Sequence, residues 1–180
     1  KDVMEEIVLN QLFQHTQLEV TFGVINLALV DGQPKVLSLQ EMLQAYLDYR
    51  QSVVIRRTEY DLRKAKERHH ILVGLIKAVD AIDETIRIIR EAANTEEARL
   101  GLMERFELDE EQAKAILEMR MRALTGLEIE ELRKEYVEIE ERMRGLQEIL
   151  ADNAKIMAII REELLEIKGK YGDDRRTEIL

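Results

Sequence analysis

The sequence predicts a mainly α-helical chain: a long antiparallel two-helix coiled coil, a small helical dimerisation globule at its tip, and a short helix and β-ribbon at its base. Apolar residues repeat at alternating three- and four-residue spacing in two separate stretches, near residues 55–79 and 129–171. Charged residues make up 36% of the chain and aromatic residues only 4%, and proline occurs once. This composition is typical of long helices and coiled coils.

Charge and residue usage narrow the functional classes. The formal net charge is −10, whereas affinity for nucleic acids depends on Lys and Arg side chains that displace counterions. We therefore expect little or no direct DNA binding. The chain has no cysteine, no long apolar run and no signal-like start, so we expect a cytoplasmic protein without a membrane partner. Because Lys1 already lies in a predicted helix, we expect a fragment of a longer protein.

The first 37 residues predict a short helix and then a β-ribbon. Within residues 2–18, apolar side chains recur at helical spacing: Met4, Ile7, Val8 and Leu12. Residues 20–37 are rich in β-branched and apolar residues, and Asp31-Gly32 is typical of a hairpin turn. Pro34 restricts the returning strand to a sheet edge. Such a ribbon is too small to be stable alone.

A long helix is predicted over residues 38–80, the first arm of the coiled coil. Ser38 and Glu41 form a capping box at its start, in which the hydroxyl accepts a hydrogen bond from a free backbone N–H. The seam consists of Ile55, Thr58, Leu62, Ala65, His69, Leu72, Ile76 and Val79. Several of these side chains are small or polar, and they suit a bulkier partner seam because large side chains need small neighbours across a close-packed interface.

The second arm, predicted over residues 127–172, carries that bulkier seam. Its members are Ile129, Leu132, Tyr136, Ile139, Met143, Leu146, Leu150, Asn153, Met157, Ile160, Leu164, Ile167 and Tyr171. A single helix over these positions would be about 65 Å long, close to the roughly 60 Å of the first arm. The similar lengths of the two arms favour an antiparallel pair within one chain. The alternative is that each arm forms a parallel dimer with the same arm of a second copy. Asn153 either sets the register or marks a flexible point.

The connector, residues 81–126, is predicted to form a helical globule at the tip. Asn94 is followed by acidic residues, a pattern that starts a new helix. Asp109 and Gln112 make another cap before a helix predicted over residues 110–124.

Apolar side chains surround that last helix instead of forming one stripe. They cover roughly 240° of its circumference, where a helix on one core needs little more than about 100°. We therefore expect burial on two sides, with a second copy of the chain on the outer side. The predicted interface residues are Ala113, Ile116, Leu117, Met119, Arg120, Ala123 and Leu124. Arg120 either extends its stem over apolar surface with its charge in water, or is paired across the interface.

No arrangement of residues predicts catalysis, a cofactor or a metal site. His69 and His70 are adjacent, so on a helix they point about 100° apart and do not share one metal face. The cationic stretch Arg56–Arg68 is interpreted as solvated helix surface, with a local DNA-facing patch as the alternative. The tyrosines lie on predicted helices without a base beside them.

Several separate blocks together identify a family. They read QLEVTFG at 17–23, DGQPK at 31–35, VVIRRTEYDLRKA at 53–65, EQAKAILEMRMRALTGLE at 111–128, IREEL at 160–164 and RRTEI at 175–179. These blocks resemble the A subunits of bacterial type IIA DNA topoisomerases, foremost DNA gyrase, with topoisomerase IV as the near alternative. The resemblance extends over essentially the whole chain.

The resemblance implies a segment that has no catalytic residues of its own. Residues 1–37 would be the end of a tower domain, residues 38–80 and 127–172 the coiled-coil arms, residues 81–126 a dimeric exit gate, and residues 173–180 an exit segment. The full enzyme is an ATP-dependent isomerase that negatively supercoils DNA by double-strand passage, and the gate lets the transported duplex leave.

The resemblance also implies partners. They are a second copy at the tip, a B subunit in an A2B2 holoenzyme, and double-stranded DNA in the full enzyme. ATP and Mg²⁺ would act in the partner subunit, so no cofactor is expected here. The rival hypothesis is a coiled-coil scaffold or adaptor without a DNA function.

Overall fold

A computed structural model describes residues 4–119 and 126–178, without the side chain of residue 127. The helices are α1 (Glu5–His15), α2 (Leu39–Asp80), α3 (Ile82–Glu91), α4 (Thr95–Phe106), α5 (Glu110–Leu117), α6 (Gly126–Ala151) and α7 (Asn153–Tyr171). The strands are β1 (Asn26–Val30) and β2 (Gln33–Leu37). The mainly α fold class is confirmed. Residues 1–49 and 50–180 form two compact units, so the division between these units falls inside α2.

The first unit contains the predicted hairpin. β1 and β2 pair antiparallel, with Leu29 opposite Pro34. Asp31 and Gly32 both have positive φ, at 54° and 75°, which is the conformation of the tight hairpin turn that matches strand twist. β1 begins only at Asn26, later than the predicted residue 20. In a two-stranded sheet each strand is an edge, so Pro34 removes no interior hydrogen bond.

The capping box predicted before the long helix is present. The Glu41 backbone N–H donates to Ser38 Oγ at 3.3 Å, and the Ser38 N–H donates to Glu41 Oε2 at 2.7 Å. The donation from the Ser38 backbone also lowers the pKa of the Glu41 carboxyl. α2 then continues without interruption to Asp80.

In the second unit, α2 runs antiparallel to α6 and α7. Side-chain contacts define the register: Gln51 with Asn153, Arg68 with Glu135, and Asp80 with Arg133, each at 2.7 Å. Residue numbers rise along α2 as they fall along its partners. The predicted antiparallel pairing within one chain is therefore present. Within the described residues, no helix is both long and apolar enough to span a membrane.

Most predicted seam positions lie between these helices. Leu72 and Ile160 are fully buried, at 0% and 1% exposure. Half-buried positions are Ile55, Leu62, Ile76, Ile129, Leu132, Tyr136, Ile139, Met143, Leu146 and Leu150. The small members Thr58 and Ala65 are buried as well. His69 packs its ring on Tyr136, with 4.9 Å between the ring centroids.

The second arm differs from the prediction because it is not one helix. α6 ends at Ala151, and Asp152 has an extended backbone with φ −127° and ψ 109°. Its side chain accepts a hydrogen bond from the Ala154 N–H at 2.8 Å and so caps α7. No Gly or Pro is needed for this break.

The break also corrects the predicted seam. Met157 was predicted to lie in the seam but is 38% exposed, whereas its neighbour Ile156 is 4% exposed. Further along, the predicted members Ile167 and Tyr171 are exposed too. Around the extended residue, α7 keeps the predicted seam members Ile160 and Leu164, which are buried and half-buried, but takes Ile156 in place of Met157. The side chains that α7 buries are therefore Ile156 and Ile160.

A carboxylate with two arginines ties α7 to α2. Glu163 Oε1 accepts from Arg57 Nη2 at 2.8 Å, and its other oxygen accepts from Arg50. The hydrogen bond from Arg57 is the main cause that lowers the pKa of Glu163.

Acid is expected to weaken this contact. Since the folded state lowers the pKa of Glu163 from 4.5, the stabilisation is present above that ordinary value and is lost as pH falls through the lowered one. Urea unfolding should show that the free energy of unfolding falls more between pH 7 and pH 3 for the unmodified chain than for the Glu163→Gln variant. The difference should be modest, since pairs with an exposed partner contribute up to about 1 kcal/mol. Identical pH profiles would contradict this role of Glu163.

Candidate dimer gate at the tip

The tip globule is formed by α3, α4 and α5 with the last turns of α2. Its core contains Leu72, Leu75, Ala78, Leu102, Leu108, Ala113 and Ile116. Thr85 at the bend between α2 and α3 is also buried, and its hydroxyl donates to Ala78 O at 2.8 Å. The globule therefore closes its own core with residues of a single chain.

Helix α5 is held on α2 by polar contacts. The predicted capping box is present: the Gln112 N–H donates to Asp109 Oδ1 at 2.9 Å, and the Asp109 N–H donates to Gln112 Oε1 at 3.2 Å. The Gln112 side chain also donates to the backbone oxygen of His70 at 2.7 Å. His70 Nε2 contacts Asp109 Oδ2. The donation from the Gln112 N–H is the main cause of the lowered pKa of Asp109.

Gly74 permits this close approach between α2 and α5. A Cβ placed on Gly74 would lie 2.8 Å from Gln112 Cβ, closer than two carbon atoms tolerate. Gly74 is the only glycine in α2. That isolated glycine is a signal that sequence reasoning could have used to locate the contact.

Gly74→Ala is therefore expected to destabilise the chain by about 1–3 kcal/mol, because overpacking displaces α5 from α2. Gly145→Ala is a matched control in α6, where an added Cβ meets nothing within 4 Å. There the change should stabilise by about 0.5–1 kcal/mol through helix propensity. Urea unfolding measures both effects. Equal effects of the two substitutions would contradict the close approach at Gly74.

Ion pairs connect the remaining helices of the globule. Arg105 of α4 donates to Glu84 of α3 at 2.7 Å, and this lowers the pKa of Glu84. Arg99 of α4 lies 3.2 Å from Glu110 of α5. Arg105 and Glu110 are exposed whereas Glu84 and Arg99 are half-buried, and ion pairs with an exposed partner contribute up to about 1 kcal/mol each. Asn94 caps α4 as predicted, accepting from the Glu97 N–H at 2.9 Å.

The predicted helix 110–124 is shorter in the structure. α5 ends at Leu117, Glu118 forms the turn that follows, and the Met119 N–H donates to Ile116 O at 3.2 Å. The prediction of two-sided burial assumed a helix through residue 124, so it applies only up to Leu117. Residues 120–125 lie outside the described part of the chain.

The predicted interface residues occupy different surroundings. Ala113 and Ile116 lie in the chain's own core, at 0% and 2% exposure. Leu117 and Met119 are half-buried and pack at the margin of that core. Arg120, Ala123 and Leu124 lie outside the described residues. The dimer interface itself stays a prediction, and Leu117 and Met119 are the described members that keep exposed surface for it.

The histidines and the cationic stretch have partners within the chain. His70 contacts Asp109 and His69 contacts Tyr136, so the two histidines face different helices. In the stretch Arg56–Arg68, intrachain pairs are Arg57 with Glu163, Lys64 with Glu67, and Arg68 with Glu135. These pairs favour the helix-surface interpretation. Among the described residues, no group of three or more His, Asp or Glu side chains is arranged to hold a metal.

The family model and the similar proteins both indicate the same protein family. Residues 1–165 match the family model that describes the A subunits of DNA gyrase and topoisomerase IV. Similar DNA gyrase A subunits occur in Clostridium acetobutylicum, 52% identical over 99% of this chain, in Brachyspira hyodysenteriae, 52% over 100%, and in Halalkalibacterium halodurans, 54% over 99%. The chain spans 22% of the length of each of these relatives. Since the family match extends over most of its residues, the chain belongs to the family of DNA gyrase and topoisomerase IV A subunits.

Proposed function

We propose that this chain is the exit-gate segment of an ATP-dependent type IIA DNA topoisomerase of the gyrase kind. Two copies associate through their tip globules, and the contact opens to release the transported duplex. The observation that carries the proposal is the tip itself: a globule with its own closed core, set at the end of a paired coiled coil, in a chain that matches gyrase A subunits over nearly all of its length.

A gate must open without unfolding, and the tip meets this requirement. Leu102 and Ala113 are both 0% exposed within a single chain. The globule therefore loses no core contact when a second copy leaves. Only side chains at the margin of the core, such as Leu117 and Met119, would change their exposure. A modest interface of this kind can open and close repeatedly.

The charge of the chain favours release of DNA. Its formal net charge is −10, and like charges repel within a Debye length of about 8 Å at physiological salt. Arg57 and Arg68, which could otherwise contact phosphates, are engaged by Glu163 and Glu135. A departing duplex would meet an acidic surface that does not retain it.

The first unit suits the end of a larger tower domain. Leu27, Leu29 and Val36 lie on one face of the ribbon and are each more than 60% exposed, at 66%, 74% and 68%. An apolar face on a two-stranded sheet needs a covering layer for stability. In the full-length protein, the rest of the tower would supply it. A B subunit with ATP and Mg²⁺, together with double-stranded DNA, would complete the proposed holoenzyme.

The mass of the chain across dilution tests the gate. Sedimentation equilibrium from about 100 µM to 0.1 µM should show a reversible change from dimer to monomer, as interfaces of modest affinity do. A chain that stays monomeric throughout would contradict the dimer gate. A full-length protein that does not supercoil DNA with ATP and its B subunit would favour the scaffold hypothesis instead.

A further inference from the structure

A buried amide joins the short helix α5 to the long helix α2. Among the described residues, the buried polar side chains are Thr58, Thr85 and Gln112. The hydroxyls of the two threonines donate to backbone oxygens no more than seven residues away. Gln112 differs, because its Nε2 donates at 2.7 Å to His70 O, which lies 42 residues earlier in the chain. This buried contact therefore links two helices that are distant in sequence.

The surface of α2 is shaped to receive this side chain. In the uninterrupted helix, His70 O accepts the backbone N–H of Gly74, and a carbonyl oxygen has a second lone pair for another donor. The Gln112 side chain lies across Gly74, since a Cβ placed there would be 2.8 Å from Gln112 Cβ and 3.2 Å from Gln112 Cδ. Any other residue at position 74 would occupy the space of the amide.

The cap of α5 differs from the caps of α2 and α4 in the residue at the third helical position. In α2 and α4 that residue is Glu41 or Glu97, and its carboxylate accepts from a backbone N–H ahead of the helix. In α5 it is Gln112, whose Oε1 accepts from the Asp109 N–H in the same way. A glutamate is sufficient for such a cap, but an ionised carboxylate cannot donate to His70 O. The amide therefore has a second role that capping does not require.

Apolar packing alone leaves the position of α5 loosely defined. The helix has only eight residues, and it buries Ala113 and Ile116 in the tip core. Hydrophobic contacts are not directional, so a short helix can rock or slide on such a surface. A hydrogen bond to a carbonyl that α2 holds in place is directional. The amide of Gln112 thus selects one angle of α5 and one position along α2.

We propose that Gln112 is the positioning residue of the gate: its hydrogen bond to His70 O fixes α5 so that Leu117 and Met119 meet the second copy in one orientation. This inference rests on the proposed function, which supplies the second copy. Leu117 lies roughly 7.5 Å further along α5 than Gln112. A rotation at the start of the helix is therefore carried directly to the side chains that face the second copy.

The dimer Kd of Gln112→Glu tests this role. The glutamate keeps the cap, but at pH 7.5 its carboxylate cannot donate to His70 O, so we expect sedimentation equilibrium to show a rise in Kd of at least about tenfold. Glu41→Gln is the matched control, because it makes the reverse exchange in the cap of α2, where the carboxylate accepts from Ser38. The Kd of this control should stay within about twofold of that of the unmodified chain.

Mild acid separates positioning from a general loss of stability. Burial raises the pKa of a carboxyl, so the glutamate of Gln112→Glu becomes protonated and its O–H can again donate to His70 O. At pH 5, the ratio of its Kd to that of the unmodified chain should therefore fall to within about threefold. Comparison with the unmodified chain at the same pH accounts for the titration of His70 and Asp109, which lie beside Gln112.

A second variant removes the donor without adding an acid. Gln112→Met fills similar space, and the backbone N–H at position 112 still donates to Asp109. Its Kd ratio should be raised at both pH values, because a thioether has no donor to regain. This variant also serves if Gln112→Glu does not fold.

Spin-label distances measure the position of α5 within one chain. The chain has no cysteine, so labels can be introduced at Glu67 of α2 and Lys114 of α5, which are both exposed. An excess of unlabelled chain avoids distances between copies. For Gln112→Glu we expect a distance distribution at least twice as wide as that of the unmodified chain at pH 7.5, and the unmodified width again at pH 5.

Equal distance distributions at pH 7.5 would overturn the positioning of α5 by Gln112. An unchanged Kd in a chain that dimerises, or a raised Kd ratio for Gln112→Glu that persists at pH 5, would overturn its role in the gate. A chain that stays monomeric at every concentration contradicts the dimer gate instead, and the label distances then decide whether Gln112 positions α5.

Discussion

Met119→Glu is expected to convert the proposed dimer to monomer, with a rise in the dimer Kd of at least about 100-fold. Met119 lies just after α5, half-buried at the margin of the tip core. A second copy covering this surface would bury the new carboxylate without a partner, which costs several kcal/mol. Since about 1.4 kcal/mol corresponds to a tenfold change in Kd, the effect exceeds two decades.

Sedimentation equilibrium measures this change directly. Met157→Glu is the matched control, because it makes the same substitution on an exposed face of α7, away from the tip. The control should remain dimeric at the same concentrations. Circular dichroism should show that both variants keep their helices. A Met119→Glu chain that stays fully dimeric would refute the placement of the interface.

Leu102→Ala is expected to cost about 2–5 kcal/mol, the largest stability loss among the substitutions considered, because it leaves a cavity in a closed core. Leu102 is 0% exposed at the centre of the tip globule. Leu100→Ala, on the same helix, removes a side chain that is 53% exposed and should change stability by less than about 0.5 kcal/mol. Urea unfolding of both variants gives the comparison. Similar losses would show that α4 does not carry the core of the tip.

Local hydrogen-bond chemistry made much of the fold predictable. The caps at Ser38, Asn94 and Asp109 depend on residues three positions apart, and each forms as predicted. The turn at Asp31-Gly32 depends on two residues with positive φ. Such signals act over a few residues, so neighbouring sequence is sufficient to identify them.

The end of α5 has no such signal, and the break between α6 and α7 has only the Asp152 cap. α5 ends at Leu117 without Gly or Pro, and α6 ends at Ala151 within an apolar heptad. At Asp152 a carboxylate caps the next helix while Gln51, distant in sequence, engages Asn153. Hydrophobic periodicity reflects the average helical preference of a whole stretch. One residue that a tertiary contact holds out of the helix does not change that average.

The candidate gate was predictable in part. Apolar residues around 113–119 correctly indicated a packed tip, but burial on one side is already supplied by the chain itself, as Ala113 and Ile116 show. The pattern of apolar residues alone does not show which face of α5 is covered by the chain itself and which face remains for a second copy. That distinction required the position of α5 against Gly74, where the Gln112 side chain lies directly on the backbone of α2.

The sequence by itself determined that two long helical arms pair antiparallel and that the chain resembles one family of DNA topoisomerases. The first conclusion depends on the spacing of apolar residues and the second on the identity of residues in the matching blocks, and both are properties of the linear chain. The tertiary structure alone decided that the second arm breaks at Asp152 and that Met157 leaves the seam for Ile156. The reason is physical: a heptad pattern fixes which residues can be buried together, whereas the helix phase after a break depends on contacts that the folded partner helix provides.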